Sequence, residues 1–301
     1  PLLNHPAWLT NRWKKHFGSE EMRKICRYNN VEPLLCLRVD SAEFRTELRE
    51  SFLDQSIEAS NGSYAPNALL VHDFRGKIDG IRGIDQGKVQ VQDQSSQLAS
   101  MLLGPFSPGL SCLDGCAGVG GKTTDLRLLL DEKTCRLTAV EPDTRRFQLL
   151  KQNLQRQKQG CSVDLHHHTL QEFADSCETA FDRIIIDAPC SGTGVIGRHP
   201  DIRWNRREQE LEGLVVRQLE LLNLAATLVA EDGILVYATC SIEPEENRGV
   251  VERFLSEHRE FVQTDCTPFL PASCHELILN GLSLIHIYEP TRPNAPSRIP
   301  S

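Results

Sequence analysis

The sequence has no run of about eighteen apolar residues and no charged-then-apolar start, so neither a transmembrane helix nor a signal peptide is expected. Paired zinc-type spacing is missing from its 11 cysteines, an odd and scattered count. That usage fits a reducing compartment better than a disulfide framework, and a cytoplasmic protein follows. Positive charge is not in excess either. A formal net charge of -8 argues against non-specific coating of nucleic acid, though a local basic groove stays compatible with it. No internal repeat or low-complexity tract precedes residue 282. With 301 residues, 40% hydrophobic and 25% charged, the chain has the makings of an ordinary globular protein with two domains. It begins with Pro rather than Met, so a fragment lacking its natural start is expected.

Residues 5–30 read as helical, with Trp8, Leu9 and Trp13 followed by Met22, Ile25 and Cys26. Arg12, Trp13, Lys14, Lys15, His16 and Phe17 interleave base and aromatic, and can meet phosphate and bases or form a solvated face around a core Trp. Leu34 to Val39 predicts a strand, Ser41 an N-cap, and Phe44, Leu48 and Phe52 a helix face. Asn61-Gly62 marks a turn and Ala68 to Val71 another strand. These make a small α+β unit ending near residue 85, where Gly76, Gly80, Gly83 and Gly87 thin the pattern.

Beyond that boundary, strands near 110–114, 136–140, 162–165, 183–187 and 234–239 alternate with helices, the signature of a doubly wound parallel sheet. Phe147, Leu150 and Leu154 form one helical stripe; Leu211, Leu214, Val215, Leu219, Leu222, Ala226 and Val229 form another. The strand Arg183 to Asp187 runs into Ala188-Pro189-Cys190-Ser191, and Ile234 to Ala238 runs into Thr239-Cys240-Ser241. A lone Cys at a strand end is more often a small buried hydrophobe than a nucleophile. Two strands aiming thiols at the ligand-binding edge change that balance.

The first of these strands leads into Leu113-Asp114-Gly115-Cys116-Ala117-Gly118-Val119-Gly120-Gly121-Lys122-Thr123. A P-loop needs Gly where Cys116 stands, and the dinucleotide fingerprint needs Gly at Thr123, so both patterns fail. The second strand ends on Glu141, an acid suited to the two hydroxyls of a ribose. A nucleoside cofactor without a pyrophosphate satisfies both facts. Three consecutive His at 166–168 point to alternating faces of a strand, and no metal is expected.

The glycine-rich turn, the Asp-Ala-Pro-Cys-Ser loop, Arg198-His199-Pro200-Asp201-Ile202-Arg203-Trp204 and the Ala-Thr-Cys-Ser-Ile-Glu-Pro-Glu-Glu-Asn run at 238–247 resemble the NOP2/Sun-type RNA cytosine-5 methyltransferases, among them those acting on 16S ribosomal RNA. The likeness begins at His5-Pro6-Ala7-Trp8-Leu9, includes Val91 to Gln97, and runs to about residue 258. It implies a Rossmann-like methyltransferase domain at 86–281 behind an N-terminal RNA-binding α+β domain at 1–85, in a monomer using S-adenosylmethionine. It implies that Cys116, Ala117, Gly118, Val119, Gly120, Gly121, Lys122, Glu141 and Asp187 hold the cofactor. Cys240 would be the nucleophile, Cys190 would assist product release, and Asp187 would lie between cofactor and base. An additional helical RNA-binding domain of the bacterial relatives would be absent. Gly118-Val119 stands where the family has Ala-Pro, and Glu141 where it has Asp. At the place of the family's adenine-contacting acid stand His166, His167 and His168.

The chemistry is consistent with that likeness on its own terms. Cytosine C5 becomes nucleophilic once a thiolate adds to C6, and a base must then take the C5 proton so that the thiolate leaves. Cys240, Asp187 and Cys190 supply a thiol, a carboxylate and an acid-base group. Arg198, His199, Arg203, Trp204, Arg206 and Arg207, with Lys14 and Lys15, are candidates to hold RNA around an unstacked base. A catalytically silent RNA-binding scaffold and a transfer-RNA methyltransferase remain alternatives; glycine spacing disfavours an NTPase or oxidoreductase. Residues 282–301 show no helical period and are expected to be a non-native tail.

Overall fold

The computed structural model describes residues 3–278; the tail expected at 282–301 lies outside that range. Helix α1 (Ala7–Tyr28) is interrupted at Gly18, which adopts φ 86. Its buried stripe of Leu9, Trp13, Met22, Ile25 and Cys26 packs against Ile196 and Ile242, residues of the loops that follow the later thiol-bearing strands. The first helix is therefore a wall of the half that carries the two thiols. β1 (Leu35–Val39) follows, and then Ser41 accepts the Phe44 N–H at 3.1 Å to cap α2 (Ala42–Asp54). Phe44, Leu48 and Phe52 fall on one side of α2 and bury against the sheet.

That sheet also contains β2 (Ala59–Asn61), β3 (Ala68–Val71) and β4 (Val89–Val91), antiparallel in the order β2-β3-β1-β4. Two corrections arise here. Asn61, expected in a turn, ends β2, and β4 lies beyond the boundary expected near residue 85. Three-residue strands carry too little alternation to register as a period, yet β1 needs a partner on its second edge.

After α3 (Gln94–Met101) the chain winds through β5 (Ser111–Asp114), α4 (Gly121–Leu129), β6 (Arg136–Val140), α5 (Thr144–Arg156), β7 (Val163–His166), α6 (Leu170–Ser176) and β8 (Phe181–Asp187). It closes with α7 (Ile202–Asn205), α8 (Glu210–Ala226), β9 (Val229–Ala238) and α9 (Arg248–Glu257). Strand order is β7-β6-β5-β8-β9, all parallel. Alternation along the strands feeds both faces: Cys112, Ile185 and Val236 pack with Leu103 and Leu126, while Leu113, Ile184 and Ile186 pack with Phe173 and Leu221. The stripe expected to include Val229 stops at Ala226; Val229 opens β9 instead. A register shift opposite Phe181 and Arg183, with Asp232 at φ 60, separates this early segment from the run at Ile234.

Two features of this architecture position the site. Asp187 pairs with Ala238, and the Ala188 N–H donates to the Ala238 carbonyl at 2.9 Å, so the two chains leave the sheet at one height. The second feature is Arg38 of β1, only 3% exposed. It donates to the Gly121 carbonyl at 2.9 Å, the Thr124 hydroxyl at 3.0 Å and the Gln92 side chain at 2.7 Å, with the Asp125 carboxylate 3.5 Å away. A cation of the first sheet thus sits under the first turn of α4. Among the described residues no helix is long and apolar enough to cross a membrane.

Candidate functional site

The order of the sheet reverses between β5 and β8, and ligands of such sheets bind beyond the strand ends at that reversal. Asp114 ends β5 at 1% exposure and accepts the Thr123 hydroxyl at 2.7 Å. Burial pushes its carboxyl up to about 6. The loop from Cys116 to Gly120 then turns over the sheet edge, with Gly118 at φ 57 and Gly120 at φ 89. A Cβ at Gly120 would stand 2.5 Å from Leu150, whereas one at Gly118 would meet nothing within 4 Å. Gly120 is needed for packing, and the space over Gly118 is open to a ligand.

Glu141, at the end of β6, is 3% exposed and accepts the Gly118 N–H at 2.8 Å and the Asp143 N–H at 2.7 Å. It braces the glycine loop, and each carboxylate oxygen keeps a second lone pair for another donor. Lys122, 8% exposed on α4, donates to Asp187 at 2.5 Å. Burial opposes the ammonium charge, but Asp187 and then Asp114 outweigh it and hold the Lys122 pKa above its usual range. Loop, acid and ion pair therefore converge on one edge.

The thiols meet beside Asp187. The Cys190 and Cys240 sulfurs are 3.1 Å apart, and the Cys240 N–H donates to the Cys190 sulfur at 3.3 Å. Cys240 is exposed and Cys190 is buried. The hydrogen bond from Cys190 is the main influence holding Cys240 below the ordinary thiol range, with Lys122 assisting against burial and Asp187. The same bond, followed by burial, drives Cys190 far upward. The pair therefore favours the proton on the buried sulfur and thiolate character on the accessible one.

The residues expected to hold RNA divide. His199, Lys14, Lys15 and Arg207 are exposed, as is Trp204 at 53%. Arg198 is exposed but pairs with Asp93 and donates to the Leu34 carbonyl. Arg206 donates to the Ser191 and Cys190 carbonyls at 3.1 and 3.2 Å and so holds the thiol loop. Trp13 is fully buried, its indole N–H on Glu243 at 2.9 Å, and Arg12 pairs with Glu208, Glu243 and Glu245. Arg203 is a correction: it is 3% exposed and donates to Asn4, Asn29 and Asn30. It fastens α7 to the segments flanking α1, so it has no free donor face for phosphate. Arg203→Ala is expected to lower unfolding free energy by about 2 kcal/mol, because the buried Asn29 carbonyl loses a charged donor. It should leave the salt dependence of RNA binding unchanged, since that slope counts phosphate contacts. Chemical denaturation and a salt titration check the two halves.

The three consecutive histidines go separate ways. His166 lies 3.0 Å from Asp164, and His167 stacks on Phe147 with centroids 4.7 Å apart. Among the described residues no cluster of three or more His, Cys, Asp or Glu is arranged to hold a metal. Glu243 and Glu246, both wholly buried, were not singled out by the sequence reading. Acids are common on surfaces, and nothing in their spacing marks these two as interior.

The family model for the 16S rRNA methyltransferase RsmB/F matches residues 101–275. A second model, for the ferredoxin-like domain of RsmF/B-like methyltransferases, matches residues 5–76. Ribosomal RNA small subunit methyltransferase B of Pasteurella multocida is 36% identical over 260 residues, covering 84% of this chain and 56% of that protein. The probable methyltransferase B of Bacillus subtilis is 34% identical over 262 residues, covering 86% and 57%. The chain thus spans just over half the length of these curated relatives. A solved methyltransferase homolog from Pyrococcus horikoshii superposes with a TM-score of 0.72 at 25% identity, covering 84% of this chain and 79% of that one. With more than half of its residues matched by the first model, this chain belongs to the 16S rRNA methyltransferase RsmB/F family.

Proposed function

We propose that the chain transfers a methyl group from S-adenosylmethionine to C5 of a cytosine in RNA, 16S ribosomal RNA foremost, through a covalent bond between Cys240 and C6. The observation that carries this reading is the pair of sulfurs 3.1 Å apart at the ends of β8 and β9, the exposed one held below and the buried one pushed above the ordinary thiol range. The loop from Cys116 to Lys122, with Glu141 and Asp187, would hold the cofactor; the open space over Gly118 and the spare lone pairs of Glu141 fit a nucleoside. S-adenosylmethionine would supply, when bound, a methyl group on a positively charged sulfur, which keeps the electron pair of the broken carbon–sulfur bond and leaves as a neutral thioether.

The Cys240 thiolate adds to C6, and electron density moves to C5, which then takes the methyl group. Asp187 accepts from the base and, paired with Lys122, keeps its orientation. As the Cys240 sulfur becomes a neutral thioether, the main influence raising Cys190 disappears. Cys190 can then release its proton to solvent and, as thiolate, remove the C5 proton. The C6 to sulfur bond breaks and Cys240 leaves as thiolate, which completes the proton and electron count. The exposed Lys14, Lys15, His199 and Trp204 would hold phosphates and stack on a base, with the N-terminal domain as an RNA platform.

With all eleven cysteines free and a ribosomal substrate, we infer a cytoplasmic monomer. Incubation with tritiated methyl donor and purified 16S RNA, transfer RNA or no RNA tests the function. Label in 5-methylcytosine of 16S RNA is expected. Label only in transfer RNA would move the substrate, and no label alongside retained RNA binding would leave a silent scaffold.

A further inference from the structure

Neither thiol loop is held by the strands alone. Glu246, at 0% exposure, lies between them and its carboxylate faces four neutral donors. One oxygen accepts the Ser191 N–H at 2.8 Å and the Gln218 side-chain N–H at 3.0 Å. The other accepts the Ser241 hydroxyl at 2.5 Å and the Ser191 hydroxyl. Ser191 follows Cys190 and Ser241 follows Cys240, so one carboxylate grips the residue after each thiol. Gln218 on α8 also donates to the Pro189 carbonyl at 3.0 Å, and the Tyr237 hydroxyl donates to the Glu246 carbonyl at 2.7 Å. An ionised carboxylate only accepts, and four donors use its two oxygens fully.

We propose that Glu246 is a positioning residue: it ties the Cys190 and Cys240 loops to one point and so sets the separation at which the two sulfurs share a proton. The proposal rests on Cys240 attacking and Cys190 serving as its proton partner. A catalytic base is not the role assigned, because Glu246 is enclosed by Ser191, Ser241 and Gln218 and does not face the edge where Cys240 is exposed. Its geometry also explains why serines follow both cysteines. Each hydroxyl has one proton, and that proton is directed at the shared acceptor.

Gln in place of Glu246 keeps the volume but turns one acceptor oxygen into an NH2 group, so either the two hydroxyls or the Ser191 and Gln218 N–H groups face a donor. The hydroxyls can turn to accept from that NH2, but the charged acceptor and its short bonds are lost, and the two loops relax away from each other. Two effects on Cys240 then oppose each other. Loss of the Glu246 charge alone would favour its thiolate, as Lys122 does and as Asp187 does not; loss of the Cys190 hydrogen bond would disfavour it. The sign of the change therefore separates positioning from simple charge.

Alkylation of Cys240 in full-length protein by iodoacetamide, followed across pH by mass spectrometry, reads that sign and needs no RNA. Glu246→Gln is expected to move the alkylation profile to higher pH and lower kcat about 10–100-fold. The KM for the methyl donor should stay within about twofold, since the cofactor loop is built from other residues. Ser241→Ala should give a smaller loss, and the double variant should be no worse than Glu246→Gln alone, because both remove one shared interaction. An unchanged or lowered alkylation profile with wild-type kcat would overturn the proposal, and so would a parallel loss of donor binding and cooperative unfolding in both single variants. If wild-type protein transferred no methyl label to RNA, the methyltransferase mechanism would fail while the alkylation result still stood.

Discussion

Replacing Cys240 by Ala is expected to abolish methyl transfer and covalent capture of RNA together, whereas Cys190→Ala should still attack but release slowly. The second variant should accumulate a denaturation-resistant protein-RNA adduct that requires both RNA and methyl donor, visible as a shifted band on a denaturing gel. The asymmetry follows from the site. Cys240 is the exposed sulfur and the one held low, while Cys190 is buried and pushed upward. Only an accessible thiolate can add to C6, and only a base left beside the adduct can take the C5 proton. Removing Cys190 also takes away the hydrogen bond that lowers Cys240, so adduct formation in that variant should move to higher pH. An adduct formed by Cys240→Ala and not by Cys190→Ala would reverse the two roles.

Glu141→Ala is expected to weaken binding of the methyl donor by about 1.5–3 kcal/mol, or roughly 10–150-fold. Two losses combine in that number. The ribose hydroxyls lose a charged acceptor, and the Gly118 and Asp143 N–H groups lose the carboxylate that fixes the loop. Glu141→Gln separates them, since the amide oxygen can satisfy one N–H but supplies no charge. It should therefore fall between wild type and Ala. Titration calorimetry with the donor or its demethylated product measures both, and wild-type affinity in the Ala variant would remove Glu141 from the cofactor site.

Much of this site was legible before any coordinates. The runs ending at Asp114 and Asp187 are largely buried β strands and the run ending at Ala238 a half-buried edge strand, and parallel strands with helices on both faces place their carboxyl ends together. The roles of single polar residues were less legible. Arg203 follows a catalytic loop and reads as a phosphate ligand by type, yet its acceptors Asn29 and Asn30 lie 174 and 173 positions away. Glu246 meets Ser191 across 55 positions and Gln218 across 28. Such partners are chosen by tertiary packing, and residue type carries no record of them. Short β4 was lost for a different reason: three residues hold one and a half alternations, fewer than a period needs.

Arg38 gives the N-terminal domain a meaning that an RNA platform does not. Cutting the chain after β4, to free a methyltransferase core, would leave the Asp125 carboxylate buried at 4% exposure without the cation 3.5 Å away. It would also strip a donor from the Gly121 carbonyl and the Thr124 hydroxyl in the turn that opens α4. Removing one member of a buried ion pair typically costs about 3–5 kcal/mol, a large share of the stability of any domain. The half built on the parallel sheet is therefore no module to be excised and reattached. It inherits a keystone from its neighbour.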